Sequence, residues 1–297
     1  MRACFLAVTL VAPGLLVTPV GAQLALEWMV PAAANTAGVN GTYWRSDVSL
    51  HNPQAFSLDV VVQALESDRP NLEVPTLTLT LAPYETVNLW DALGPDLFAI
   101  GGTAALLAYA DPSLPCDPTD TCEFLVTSRT YTVDPRDGGG EFGQAIPGRP
   151  AALGVDWWTY GYAAGILNDG NDFRCNVGAA SWTGEWTTVK VDVQDAAGTI
   201  LAIEVLEVPP FGHVQRRLAT AVGGGSLVFY LVAGPDDALV FPYASVVDQT
   251  TGDPSFFAAE ASAVGVAVEK GQPRLVARRP APAARGEVLR PGRGSRR

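Results

Sequence analysis

Histidine and lysine are nearly missing from this chain: its 297 residues include two of each. Cysteine and methionine are scarce too, at four and two. That poverty leaves little material for metal or acid–base chemistry, and neither an H-E-x-x-H run nor a G-x-S-x-G elbow occurs. A Ser-His-Asp hydrolase would have to recruit His51 or His213, and His213, directly after Phe211-Gly212, reads as a solvated turn histidine. Charged residues are only 17% of the chain, which argues against a long coiled coil. Basic residues number 19 against 31 acidic ones, a formal net charge of −12, so the folded part is not expected to bind nucleic acid. No cofactor-binding motif stands out. What the chain does hold is 48% hydrophobic residues, 30 Gly and 23 Pro, enough apolar material for a large core broken by many turns.

The N-terminus has the layout of an export signal. Arg2 supplies the positive start, Ala3 to Leu16 the apolar run, and Val20-Gly21-Ala22 the small residues of a cleavage site, so residues 1–22 are expected to leave and Gln23 to begin the mature chain. The run falls short of the roughly 20 residues that a spanning helix needs. No later stretch has 18 consecutive apolar residues, so the mature chain is expected to be soluble, secreted or held at the cell surface. Cys4 leaves with the signal. Cys116 and Cys122 bracket Asp-Pro-Thr-Asp-Thr, and outside the cell a disulfide between them is expected, worth at most about 2 kcal/mol for so short a loop. Cys175 sits in a strand-like run and reads as a small buried hydrophobe.

The remainder reads as strands. Thr188 to Gln194 alternates with period two, Thr76 to Leu81 alternates Thr with Leu, and Asp59 to Leu65 is rich in valine. Asp195 to Gly198 and Asp169-Gly170 mark turns, and Asp91 to Phe98 is expected to form one short helical turn. Four blocks also recur in order. Tyr43 to Val48 matches Asp172 to Val177, and Leu81 to Val87 matches Val208 to Val214. Gly101 to Ala104 matches Gly224 to Leu227, and Ser128 to Asp134 matches Pro242 to Asp248. The shared Arg45 and Arg174 are each followed two residues on by Asp47 or Asn176, a same-face pair with a structural role. With about seven strands per copy, the expected architecture is all-β: two tandem antiparallel β-sandwich, Ig-like domains over 23–149 and 150–268, joined near Pro147 to Pro150.

These blocks resemble a tandem β-sandwich repeat of exported bacterial proteins of unknown function. The resemblance rests on the strand Trp44 to Asn52, on Arg129 to Pro147 and on Tyr243 to Pro254, and spans nearly the whole mature chain. It implies an extracellular all-β module and carries over no catalytic residue. The second copy departs from the pattern at Ser181, where the first has Asn52.

Candidate sites are few. Asn168 to Asp172 and Asp248 to Asp253 are oxygen-rich loops: Asp169, Asp172, Asp248 and Asp253 are weak Ca²⁺ candidates, though Asn, Asp and Gly are also what tight turns require. In the segment Asp156 to Tyr162, Trp158, Tyr160 and Tyr162 alternate onto one strand face beside Trp157. Such aromatics either fill the interface between the halves, which their size favours, or form a platform for pyranose rings. The leading expectation is a non-catalytic surface, adhesive or scaffold module. The alternative is a carbohydrate-binding module contacting extracellular polysaccharide or a cell-surface component, and a carboxylate-based hydrolase is not excluded.

Residues 269–297 are compositionally separate. Nine of the 19 basic residues and one acid, Glu287, fall in 270–297, with no aromatic, so a disordered basic tail is expected. Once Arg2 leaves with the signal, 30 acids face nine bases over 23–269. The body is far more acidic than the whole-chain charge suggests. The tail could touch anionic cell wall or lipid, or be a solvated extension.

Overall fold

The structure, a computed structural model, describes residues 24–38, 41–111, 122–133 and 140–263 and two short strands beyond them. Its described residues are strands and turns, with a 3-10 turn at Ala151–Leu153 and no α-helix. The first half contributes β1 (Glu27–Ala37), β2 (Tyr43–His51), β3 (Leu58–Glu66), β4 (Thr76–Leu81), β5 (Thr86–Leu89), β6 (Gly102–Ala110), β7 (Leu125–Val133), β8 (Glu141–Pro147) and β9 (Arg149–Pro150). The second contributes β10 (Thr159–Asn168), β11 (Phe173–Ser181), β12 (Thr187–Gln194), β13 (Ile200–Val208), β14 (His213–Arg217), β15 (Val222–Ala233), β16 (Val240–Asp248), β17 (Pro254–Ala258) and β18 (Glu260–Ala263).

All ladders are antiparallel, and the two halves repeat one wiring. In the first, β4-β3-β6-β1 forms one layer, with β9 on β1, and β5-β2-β7-β8 the other. A bulge between Val30 and Ala33 turns the end of β1 onto β2, linking the layers into one nine-stranded sheet. In the second half the layers are separate sheets, β13-β12-β15-β10-β18 and β14-β11-β16-β17, in the same order strand for strand.

Period-two alternation directs side chains into each core. Along β12, Val189, Val191 and Val193 are buried while Lys190 and Asp192 point outward. The first core joins Val30, Val60, Val62 and Leu106 from one layer to Val48, Leu50, Val126 and Ile146 from the other. The second joins Val191, Leu227 and Phe229 to Cys175, Val177 and Val246. Both are sandwich-like. A third cluster lies between the halves: Met29, Leu65, Ala105 and Leu107, on the outward face of β1, β3 and β6, meet Ala180 and Phe241, with Trp182, Phe211 and Leu239 packed around them.

Residues through Ala263 cluster as one compact unit, within which the two halves pack together. Between the halves Arg149 and Pro150 pair with β1, and the Arg149 guanidinium holds both carboxylate oxygens of Glu260 at 2.9 Å. Two finer expectations need correction. Asp91 to Phe98 is a run of turns closed by Gly94 N–H on Asp91 O and Ala99 N–H on Gly94 O, with no helix. Its two acids and Gly94 within eight residues favour local turns over propagation. Pairing also shifts two blocks of the repeat. Trp44 faces Thr132 and Phe173 faces Asp248, so β7 and β16 correspond at a separation of 116 (132 to 248) where sequence matching puts 114 (134 to 248). Likewise Val62 faces Ala108 and Val191 faces Phe229, a separation of 121 (108 to 229) in place of 123 (104 to 227). A slip of two residues keeps each side chain on its face, so composition alone does not reveal it.

The segment Val264–Arg297 is a separate unit, in which β19 (Val268–Glu269) pairs with β20 (Gln272–Pro273). The rest of the expected tail, the signal 1–22 and Cys116 lie outside the described residues.

Candidate functional site

The aromatic segment is not at the interface between the halves. It opens onto the outer face of the β13-β12-β15-β10-β18 sheet. Trp158 precedes β10 in a turn capped by the Asp156 carboxylate, which accepts from Trp158 N–H at 2.8 Å, and Trp158 is 37% exposed. Tyr160 and Tyr162 project outward from β10, and Tyr162 is 43% exposed. Trp157 separates from them: its indole N–H donates to Pro235 O at 2.7 Å and its ring packs on the second core. The interface expectation failed because Met29, Leu107, Trp182 and Phe241 already fill that contact.

Register extends the face across the sheet. Tyr160, Tyr230 and Lys190 lie in one cross-strand row ending at Val205, and Tyr162, Val228 and Asp192 lie in the next, ending at Ile203. Tyr160 sits edge-on to both Tyr162 and Tyr230, at 6.3 and 5.6 Å between centroids. Tyr230 donates to Asp192 at 3.0 Å, and burial together with that carboxylate pushes its phenol up to about 12. On the edge strand β13, Leu201, Ile203 and Val205 are each about half exposed. The face thus offers flat rings, a cation, an anion and an aliphatic border. Tyr230 and the β13 residues are absent from the sequence-level platform because they join it only through pairing.

Two of the four acidic candidates, Asp169 and Asp248, serve the backbone through their carboxylates. Asp169 Oδ1 accepts from the N–H groups of Asn171, Asp172 and Phe173 at 2.8–2.9 Å, which hold its carboxyl below the usual range. Asp248 Oδ1 accepts from Thr250 and Thr251, with the same effect on its carboxyl. Asp253 O accepts from Asp248 N–H within its own loop, and Asp172 O accepts from Gln249 N–H, which draws the two loops together. Among the described residues no three His, Cys, Asp or Glu side chains are grouped to hold a metal. Beside these loops lies a shallow cleft of about 380 Å³, with Asn168, Asp169, Arg217 and Leu218 in its wall.

His213 is not the solvated turn residue its neighbours suggest; it is fully buried. A chain of hydrogen bonds runs through it from one half to the other. Thr103 Oγ1, Ser67 Oγ, His213 Nδ1 and Nε2, Tyr243 Oη and Gln215 Oε1 follow at 2.8, 2.5, 2.7 and 2.8 Å. Ser67 Oγ also donates to Thr103 O at 2.6 Å, which ties the chain to the β6 backbone. Burial pushes the ring down to about 4, against the opposing influence of Asp68. Ser67 and His213 have the atoms of a nucleophile–base pair, but the ring turns Nδ1 to the serine and Nε2 to a tyrosine, where a hydrolase turns Nε2 to the serine and Nδ1 to a carboxylate, so the geometry is that of an interlock. Gly178 makes room for it, since a methyl there would overlap the Tyr243 ring.

Of the two repeated arginines, one has the expected partner and one does not. Arg45 Nε lies 3.5 Å from Asp91, whereas the buried Asp47 carboxylate takes Arg129 at 2.9 and 3.0 Å. Arg174 lies 3.5 Å from Asn176 Oδ1, as the same-face pairing anticipates. Cys175 is a free, buried thiol that burial pushes up to about 12. It is expected to resist iodoacetamide in mildly alkaline native buffer and to react once urea unfolds the chain; labelling that precedes the loss of tryptophan signal would contradict this. Cys122 is buried beside the first core.

No protein-family model and no curated protein matches the chain.

Proposed function

We propose that this chain is an exported, non-catalytic β-sandwich protein that acts by surface binding, as a structural, adhesive or scaffold module outside the cell. It is built from two tandem Ig-like domains of the kind found in the exported bacterial repeats it resembles, matured at Gln23, and carries a Cys116–Cys122 disulfide and a disordered basic tail. The observation that carries this reading is the outer sheet face of the second half. Its counterpart in the first half is the face under Met29 and Leu107, which is buried, whereas here Tyr162, Ile203 and Val205 stand in solvent. Apolar side chains clustered on an open sheet in so acidic a body mark an interaction surface. Fractionating cells that produce the full chain tests the location. The mature form is expected outside the cytoplasm, and cytoplasmic retention with the leader intact would sink the proposal.

A second reading, carbohydrate binding, is favoured by the aromatic layout itself. Tyr160, Tyr162 and Tyr230 share the open face with Lys190 and Asp192, which supply rings for stacking and polar groups for sugar hydroxyls. Exported β-sandwiches as binders of sugar is a fold-level analogy. If it holds, Trp158→Ala and Tyr162→Ala each weaken binding to an insoluble polysaccharide by about tenfold, a change of about 1.4 kcal/mol. Retention of wild-type binding by both variants would remove the sugar reading and leave the scaffold reading standing.

A further inference from the structure

We infer that the open sheet face of the second half is occupied by the N-terminal half of a second copy of this chain, in a head-to-tail contact that repeats the one already present inside the molecule. The inference rests on the surface-binding reading above and names the partner.

The internal contact has two sides. The acceptor is the outward face of β1, β3 and β6, with Met29, Leu65, Ala105 and Leu107. The donor is one end of the second half, where Trp182, Phe211, Leu239 and Phe241 come together. Pairing register carries both sides over to the other half. Met29 faces Leu107 and Tyr162 faces Val228, so Tyr162 and Val228 hold the places of Met29 and Leu107 on the free face. Met29 is fully buried, whereas Tyr162 is 43% exposed.

The donor side has its counterpart as well. Phe211 sits at a left-handed turn, φ 42°, with its N–H on Thr183 O at 2.7 Å, and leans on the first half. Tyr84 occupies the same turn of the first half, φ 60°, with its N–H on Gln54 O at 3.2 Å. A positive φ is uncommon for an aromatic residue, so its recurrence means that both halves hold a ring out from one end. Phe211 has a sheet to rest on; Tyr84 is 66% exposed.

Each molecule therefore ends in a free acceptor at one side and a free donor at the other. A heterologous contact of this kind does not use one patch twice, and unless its rotation closes a ring it grows an open chain. The aliphatic border of β13 widens the free acceptor where the first half has Thr76, Thr78 and Thr80 on β4. The contact is not a perfect copy: Asn71, which donates to Phe211 O at 2.9 Å, lies in a β3–β4 connection longer than the one joining β12 to β13. The intermolecular contact is accordingly weaker than the internal one.

Sedimentation velocity of the exported chain, tail included, over a concentration series tests this. The wild type is expected to grow past the dimer as concentration rises. Tyr84→Asp blocks the donor, Tyr162→Asp with Ile203→Asp blocks the acceptor, and each alone sediments as a monomer. Mixed, the two variants form a one-to-one dimer that grows no further, since one free donor meets one free acceptor. Three results would overturn the inference: a wild type that stays monomeric throughout, a dimer indifferent to Tyr84→Asp (two open faces meeting symmetrically), or assembly only after removal of 264–297. If the acceptor variant also loses attachment to cells or polysaccharide while the wild type is monomeric, the surface-binding reading survives and only the self-association fails. If it loses neither, both fail.

Discussion

Replacing His213 with glutamine is expected to lower stability by about 3 kcal/mol at neutral pH and to flatten its pH dependence between about 6.5 and 4. The ring lies wholly out of solvent, bonded at both nitrogens, and burial holds it near 4 in the folded protein against about 6.5 in the unfolded chain. Within that interval the unfolded chain binds the extra proton, so the wild type loses stability as pH falls from 6.5 toward 4 and gains none from this residue above 6.5. A gap of about 2.5 pH units corresponds to about 3 kcal/mol in full. The groups facing the ring are Ser67, Tyr243, Asp68 and Arg216, and of the two charged ones Asp68 raises its affinity for a proton while Arg216 lowers it. Asp169 and Asp248, held below the usual carboxylate range, add acid sensitivity only at lower pH. Urea midpoints at neutral and mildly acidic pH measure the slope. A His213→Gln variant with the wild-type slope would show that another group carries it.

The same residue marks where sequence reasoning succeeds and where it stops. Alternation along Thr188 to Gln194 correctly sorted Val189, Val191 and Val193 from Lys190 and Asp192, because period two is a local property of an extended chain. The repeat was legible for the same reason: Leu50 faces Val87 and Ala179 faces Val214, as the second matched block requires. His213 was not legible. Its neighbours Phe211 and Gly212 form the turn they suggest, but what covers that turn is Ser67 and Asn71, some 140 residues away in sequence. The platform was half legible. Tyr160 and Tyr162 share a face by alternation, whereas Tyr230, Val205 and Ile203 join it through strand order, which no single segment encodes. The interface expectation for the aromatics failed from a sound premise, since large rings do seek burial. Met29 and Leu107 of the first half, with Trp182 and Phe241 of the second, had already taken that position.

Replacing Asn168 with alanine is the second substitution expected to have a large effect, and it reaches into the logic of the repeat. Asn168 closes β10, is 4% exposed, and uses its whole amide: the NH₂ donates to Leu218 O at 3.1 Å and Thr220 O at 2.8 Å, and Oδ1 accepts from Cys175 N–H at 3.0 Å. Alanine leaves these backbone groups without that partner, at an expected loss of about 3 kcal/mol. Aspartate is expected to do worse at neutral pH, because it keeps the acceptor but turns a second anionic oxygen toward two carbonyls. Asn35, near the end of β1, does the same work in the first half, donating to Leu93 O and Ile100 O at 3.1 and 2.9 Å. Its Oδ1 takes the exposed Tyr43 hydroxyl in place of a buried backbone N–H, and Asn35 is itself partly exposed, so Asn35→Ala is expected to lose about half as much. Neither asparagine falls in the four matched blocks. One amide in each half, buried at Asn168 and half-buried at Asn35, binds the end of a strand of one layer to the connection leading into β6 or β15, which a chance likeness of two β-rich segments would not reproduce. Chemical unfolding of both variants measures the two losses, and an Asn168→Ala chain within about 0.5 kcal/mol of the wild type would remove the amide from its place as the shared fastener.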